Sequence, residues 1–284
     1  MGPSRTASYV ALFRATENAR PADRRLFADP YAAGFLDPGP IMVAALSGVP
    51  GFRSLLPKLI DRRYPASRLP VIVRTPMIDE AAASGLREGA DQLVVLGAGY
   101  DMRALRLPEA QRARVFELDQ PATQERKTAR LEKMNGGLPA NVTYVPFDLE
   151  EEGVGGPLGR AGFASGRTTV VVWEGVVSYL TPEAVDSTVA WVARECGPGS
   201  RLIFTYVDIS KFGPGGTAGE SVPWGNDVAK AGEPFRFGFD PAGLPAFMAE
   251  RGLELDWDLS TAEGPGGEKA PDFYRVAQAS VSAR

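Results

Sequence analysis

Apolar and polar positions along this chain change their period about a third of the way in. Residues 9–20 carry apolar side chains at helical spacing and stop at Pro21. Asp29-Pro30 places a helix start near Tyr31, predicting a segment over 31–36. Asp37-Pro38-Gly39-Pro40 reads as a turn, followed by short helices over 41–47 and 52–63 around Gly48-Val49-Pro50-Gly51. Thr75 as N-cap, with Pro76 at the first helical position, predicts a helix ending near Gly89. From residue 92 onward short apolar runs alternate with helical spacing. Strands are expected over 92–96, 114–118, 142–146, 169–173, 201–207, 253–257 and 273–279, with helices over 121–134, 182–195 and 241–251.

That alternation predicts an α/β fold, a mainly parallel seven-stranded sheet with helices on both faces. The last two strands are separated by a Gly-rich loop without a helix, so they should form an antiparallel edge hairpin. This is the Rossmann-like layout of class I methyltransferases rather than the plain dinucleotide-binding one. Residues 1–90 then form an N-terminal helical cap, and 91–284 the ligand-binding domain. Two Gly/Pro-rich stretches interrupt the order, 150–166 and 208–240. The second follows the fifth strand, carries Trp224, Phe235, Phe237 and Phe239, and reads as a lid insertion.

Composition narrows the chemistry. With 284 residues and 44% hydrophobic content, the chain can build one large core or a core with a cap. A net charge of −4 and no basic block argue against a nucleic-acid partner. The apolar runs are too short for a membrane span, and the first residues lack the apolar stretch of a secretory signal, so a cytoplasmic protein is expected. One cysteine, Cys196, excludes an internal disulfide. The absence of histidine excludes an imidazole base, a Ser-His-Asp triad and a histidine metal site, and no metal is expected. The charged pattern over 125–133 reads as a solvated helix face.

The chemistry-bearing residues cluster at predicted strand ends. Leu93 to Leu96 runs into Gly97-Ala98-Gly99, the first two glycines of a G-x-G-x-x-G turn whose third position is Met102. In a dinucleotide site that third glycine allows close packing around a pyrophosphate, so Met102 counts against NAD or FAD. S-adenosylmethionine has no phosphate and needs no such glycine. Asp119 ends the second strand, where an acid accepts ribose hydroxyls; alternatively Asp119 or Gln120 caps the helix that follows. Asp148, after the third strand, lies where an adenine edge would, with the Leu149 backbone beside it, or else opens a solvated acidic run. Glu174 ends the central fourth strand and faces the crevice where open α/β sheets bind ligands. Arg74 either folds over the strand ends to grip a carboxylate or is a surface arginine.

Several of these segments together resemble the leucine carboxyl methyltransferase-like family of S-adenosylmethionine-dependent methyltransferases. They are Arg14 to Pro21, Leu26 to Pro30, Arg74-Thr75, Leu96 to Arg103, Glu117 to Pro121, Asp148-Leu149, Glu174-Gly175-Val176, Gly232 to Phe235 and Phe239-Asp240-Pro241. The resemblance spans residues 9 to 278. It implies that Arg74 meets the methionine carboxylate, that Gly97 and Gly99 line the cofactor with Ala98 between them, and that Asp119, with Gln120 beside it, holds the ribose. It also implies that Asp148 and Leu149 meet the adenine and that Glu174 lies beside the methionine part. Met102 replaces the commoner threonine, and Ser178 stands where many members carry something larger. The family includes protein phosphatase and polyketide carboxyl methyltransferases, so the expected activity is O-methylation of a small-molecule acceptor. A carboxylate fits best without histidine. Its pKa of about 4 leaves it ionised at neutral pH, whereas a phenol near 10 needs roughly 4 kcal/mol of help from a base. Tyr179, Tyr206 and Glu174 are candidates to orient the acceptor. A phenolic or enolic hydroxyl is the alternative acceptor, and a cofactor-binding scaffold or rearrangement catalyst the alternative class.

Overall fold

The computed structural model describes residues 2–52, 55–64, 67–148, 153–211, 236–267 and 269–282. Its centre is a seven-stranded sheet of β1 (Gln92–Leu96), β2 (Arg114–Asp119), β3 (Val142–Pro146), β4 (Thr169–Trp173), β5 (Arg201–Val207), β6 (Leu253–Ser260) and β7 (Tyr274–Val281). The order is β3-β2-β1-β4-β5-β7-β6. The first five strands pair in parallel, and β7 runs antiparallel to both β5 and β6. The expected hairpin is therefore present, with β7 slotted between β5 and β6. Strand order reverses between β1 and β4, the switch point at which such sheets bind ligands.

Both faces of the central strands are buried, which is why they read as unbroken apolar runs. Val94, Leu96, Val171 and Trp173 face one core, with Val185, Val189 and Val192 of α8 (Pro182–Glu195) and Leu244 and Met248 of α9 (Leu244–Glu250). Leu93, Val95, Val170 and Val172 face the other, against Ile78, Ala82 and Leu86 of α4 (Arg68–Arg87). A third core joins Leu12 and Phe13 of α1 (Arg5–Asn18) to Phe35, Tyr100, Met102 and Leu131, the last from α6 (Pro121–Asn135). Phe35 stacks on Tyr100 with ring centroids 4.8 Å apart. Met102, at the missing glycine's place, is thus a knob in the core shared with α1.

Several local expectations are corrected. The helix expected to begin at Pro76 begins at Arg68, and Pro76 lies inside it. Thr75 is no N-cap; its hydroxyl donates to the Val71 carbonyl at 2.7 Å. Val71, Ile72 and Val73 are buried, and their packing offsets the hydrogen bond that Pro76 cannot make. The expected turn at Asp37 to Pro40 is instead the start of α2 (Pro38–Leu46), because a proline at N1 gives up no needed donor. The segment over 31–36 is a 3₁₀ turn, Ala32–Phe35, whose entry is held by Asp29: its Oδ1 accepts from the Tyr31 and Ala32 amides. Within 150–166 a short helix forms, α7 (Gly155–Arg160), burying Pro157 and Leu158. The face over 125–133 is not wholly solvated. Lys127 is buried with its Nζ 2.5 Å from Oε2 of Glu117 on β2. The remaining helices are α3 (Leu55–Arg63), in the cap, and α5 (Arg103–Arg106), directly after the glycine turn. Among the described residues no helix is long and apolar enough to cross a membrane.

Candidate functional site

The site begins where β1 stops. Gly97 and Gly99 both take positive φ, +64° and +49°, so the chain turns sharply without side chains on its upper surface. A Cβ at Gly97 would sit 2.3 Å from Cγ2 of Val176, in the loop after β4. Asp119, at the end of β2, braces the turn: its carboxylate accepts from the amides of Gly99 and Gln120. Gln120 occupies the N-cap position of α6, yet its side chain makes no capping bond. The helix-cap alternative is therefore not adopted by the Gln120 side chain. The turn itself is tied to β2 through the Ala98 amide, which donates to the Leu118 carbonyl at 2.9 Å. Asp148 follows Phe147, whose amide donates to the Asp119 carbonyl at 2.8 Å. Leu149 lies outside the described residues. The ends of β2, β1 and β4 thus bring Asp119, Gly97-Ala98-Gly99 and Glu174 into one row.

Glu174 is held from two sides. Its Oε1 accepts from Arg74 Nε at 2.6 Å, and its Oε2 lies 2.6 Å from Arg103 Nη1. Burial alone would raise its pKa, but Arg103, Arg74 and Arg14 outweigh burial and hold it well below the usual carboxylate range. Arg74 is buried, not a surface arginine, and its Nη1 also donates to the Tyr274 hydroxyl at 2.6 Å. That hydroxyl lies 2.9 Å from Oγ1 of Thr205, which accepts from the Gly175 amide. Arg103 reaches Asp79 at 2.7 Å through Nε and pairs with Asp101 through Nη1. Arg106 forks onto Asp79, and Arg14 grips Asp29. Sequence reasoning did not single out Thr205, Tyr274, Arg103, Asp101 or Asp79 for the site.

On the acceptor side, Tyr179 sits in the 3₁₀ turn Val177–Tyr179 after β4, half-buried and within electrostatic reach of Arg74. Tyr206 is not brought to this group. It is fully buried and donates its hydroxyl to Asp258 on β6 at 2.7 Å. Burial and that carboxylate push its pKa up. The 208–240 insertion is described only at its roots, and Trp224 and Phe235 lie outside the described residues. Asp208 bridges Phe239, and the amides of Arg236 and Phe237 donate to the Ser178 carbonyl at 2.7 and 3.2 Å. Phe239 packs edge-on against Phe204 and Tyr206 in the sheet core, so this aromatic serves the fold.

The turn suits a sulfonium nucleoside better than a pyrophosphate. In a dinucleotide site the helix after the turn offers its first amides to phosphate. Here the Arg103 amide already donates to Asp101 Oδ1 at 2.6 Å, so that amide is not offered to a phosphate.

Solved structures support the architecture. A protein of Thermobifida fusca provisionally described as a methyltransferase superposes with a TM-score of 0.61 at 15% identity, over 99% of this chain and 96% of that one. A DUF574 family protein of Streptomyces avermitilis does so with the same score and identity, over 98% and 97%. The fold is that of the class I methyltransferases. A profile of the leucine carboxyl methyltransferase family matches residues 7–193, and the chain belongs to that family. A Streptomyces coelicolor protein provisionally named an S-adenosyl-L-methionine-dependent methyltransferase is 29% identical over 281 residues, 92% of each chain. One of Frankia alni with the same provisional name is 33% identical over 213 residues, 70% of this chain and 67% of that one. The chain is an S-adenosylmethionine-dependent methyltransferase.

Proposed function

We propose that this methyltransferase alkylates an oxygen of a small molecule, and that the oxygen belongs to a carboxylate. The cofactor supplies a methyl group made electrophilic by its sulfonium. Gly97, Ala98 and Gly99 line it, Asp119 takes the ribose hydroxyls with Gln120 alongside, and Asp148 and Leu149 meet the adenine. Arg74 and Glu174 hold the amino acid end.

The observation that carries the acceptor class is the state of Glu174. It is the one carboxylate at the end of the central strand, and two guanidinium groups make it a weaker base than an ordinary glutamate. Burial raises the pKa of the neighbouring Tyr274, and its hydroxyl is committed to Arg74. With no histidine in the chain, a neutral hydroxyl would find poor help in losing its proton. A carboxylate arrives ionised and needs only alignment with the methyl group and exclusion of water. We assign that alignment to Tyr179, half-buried in the turn after β4 and within electrostatic reach of Arg74.

The test is transfer of labelled methyl from S-adenosylmethionine to a panel of aromatic acids and their matching phenols. Label released by mild base marks an ester and supports the reading. Label in base-stable ethers, with none in the acids, overturns it in favour of a hydroxyl acceptor.

A further inference from the structure

Arg103 is the first residue of α5, the short helix that follows the glycine turn, and its side chain is only 2% exposed. Its guanidinium is taken up by three carboxylates. It can act through what it holds. Its Nη1 lies 2.6 Å from Oε2 of Glu174 and pairs also with Asp101, while its Nε reaches Asp79 at 2.7 Å. The other Glu174 oxygen is 2.6 Å from Arg74 Nε. The carboxylate is therefore gripped at both ends, between two arginines that come from different elements, α4 and α5.

We propose that Arg103 is a positioning residue for the cofactor's amino acid end, keeping the Glu174 carboxylate spread between itself and Arg74. The proposal rests on the reading in which Arg74 and Glu174 meet that end. A zwitterionic amino acid needs an anion for its ammonium and a cation for its carboxylate. Arg74 and Glu174 supply one of each, but side by side they attract. Freed from Arg103, a carboxylate beside an arginine folds into a two-pronged pair with it. Each group would then satisfy the other and present less charge to the ligand. Arg103 prevents this by drawing one oxygen away. The charged and titratable groups acting on Glu174 are Arg103, Arg74 and Arg14, with Asp101 and Tyr274 also in its field. The cations dominate and keep it ionised.

Calorimetry on the full chain tests this with two ligands, S-adenosylhomocysteine and 5′-methylthioadenosine, which lacks the amino acid end. Arg103→Met should weaken S-adenosylhomocysteine binding by about ten- to a hundredfold and leave methylthioadenosine nearly unchanged. Arg103→Lys keeps the buried charge but cannot span three acids, so it should show the same selective loss even if the methionine variant does not fold. Asp119→Ala should weaken both ligands alike. An equal loss of both ligands on changing Arg103, or no loss in the folded lysine variant, overturns the proposal. Glu174→Gln distinguishes the two levels. If it shifts the ligand ratio and the Arg103 variants do not, the positioning role alone fails. If it also leaves the ratio unchanged, the placement of the amino acid end fails.

Discussion

A single methyl group at Gly97 would disturb the centre of the site. The residue needs a positive φ, and Val176 occupies the space a Cβ would fill. Gly97→Ala should cost about 1–3 kcal/mol of stability in urea denaturation, from backbone strain together with overpacking, and should weaken S-adenosylhomocysteine binding. Adding Val176→Ala relieves the contact but not the strain, so it should restore part of the loss. Gly97, Asp119 and Glu174 were legible because each ends an apolar run, and the ends of parallel strands converge on one edge. The ionic partners were not. Arg74 and Glu174 are 100 positions apart, and Arg74 and Tyr274 are 200 apart, so no periodicity records the pairing. A weak signal did exist: Asp101 and Arg103 stand two apart in a turn that must be buried, and a buried arginine requires an anion. Strand alternation offered another. Neighbours on β5 face opposite ways, so Thr205 reaches Tyr274 whereas Tyr206 turns to Asp258.

Among the elements, α4 carries the clearest lesson. Thr75-Pro76 has the local chemistry of a helix start, yet the helix begins at Arg68 because the residues before the proline bury against the rest of the fold. Tertiary packing overrode a capping signal worth about 1 kcal/mol. Pro76→Ala restores a donor for the Ile72 carbonyl. It should stabilise the chain by about 1–3 kcal/mol, read as a higher urea midpoint with an unchanged slope; a lower midpoint would mean that the surrounding packing depends on the proline. The central strands were read closely because short, unbroken apolar runs bounded by turn residues leave few other options. The small helices were not. α7 and the 3₁₀ turn at Ala32–Phe35 are too short to show a period, and they form because Leu158 and Phe35 find cores to enter.

For the molecule as a whole, cap and sheet are joined by paired charge as well as by apolar contact. Arg14, Arg74, Arg103 and Arg106 face Asp29, Asp79, Asp101 and Glu174 in one connected cluster, with cations and anions in equal number. Removing one member should cost about 3–5 kcal/mol, since it leaves an uncompensated buried charge. The cluster also sets the response to acid. Despite burial, Arg103 and its fellow cations hold the carboxyls of Asp101 and Glu174 below their ordinary values of 3.8 and 4.5. Their stabilisation is present above those values and is lost as pH falls through the lower folded ones. Glu117 works the other way, because burial raises its pKa despite Lys127. Urea denaturation should therefore show a steady loss of stability as pH falls below about 4.5, and Glu117→Gln should remove the opposing gain that Glu117 contributes above 4.5, as pH falls through its raised folded pKa. The mainly parallel seven-stranded sheet with its antiparallel edge and the helical N-terminal third were legible in the sequence, whereas the charged seam between them was not. The position of β7 between β5 and β6 has a consequence for biosynthesis. On the ribosome Arg74 emerges 200 residues before the phenol it needs, and β6 is made before the neighbour that will flank it. A nascent chain halted short of Tyr274 has all of its glycine turn but lacks the hydroxyl that accepts from Arg74, so this buried polar group is completed late in translation.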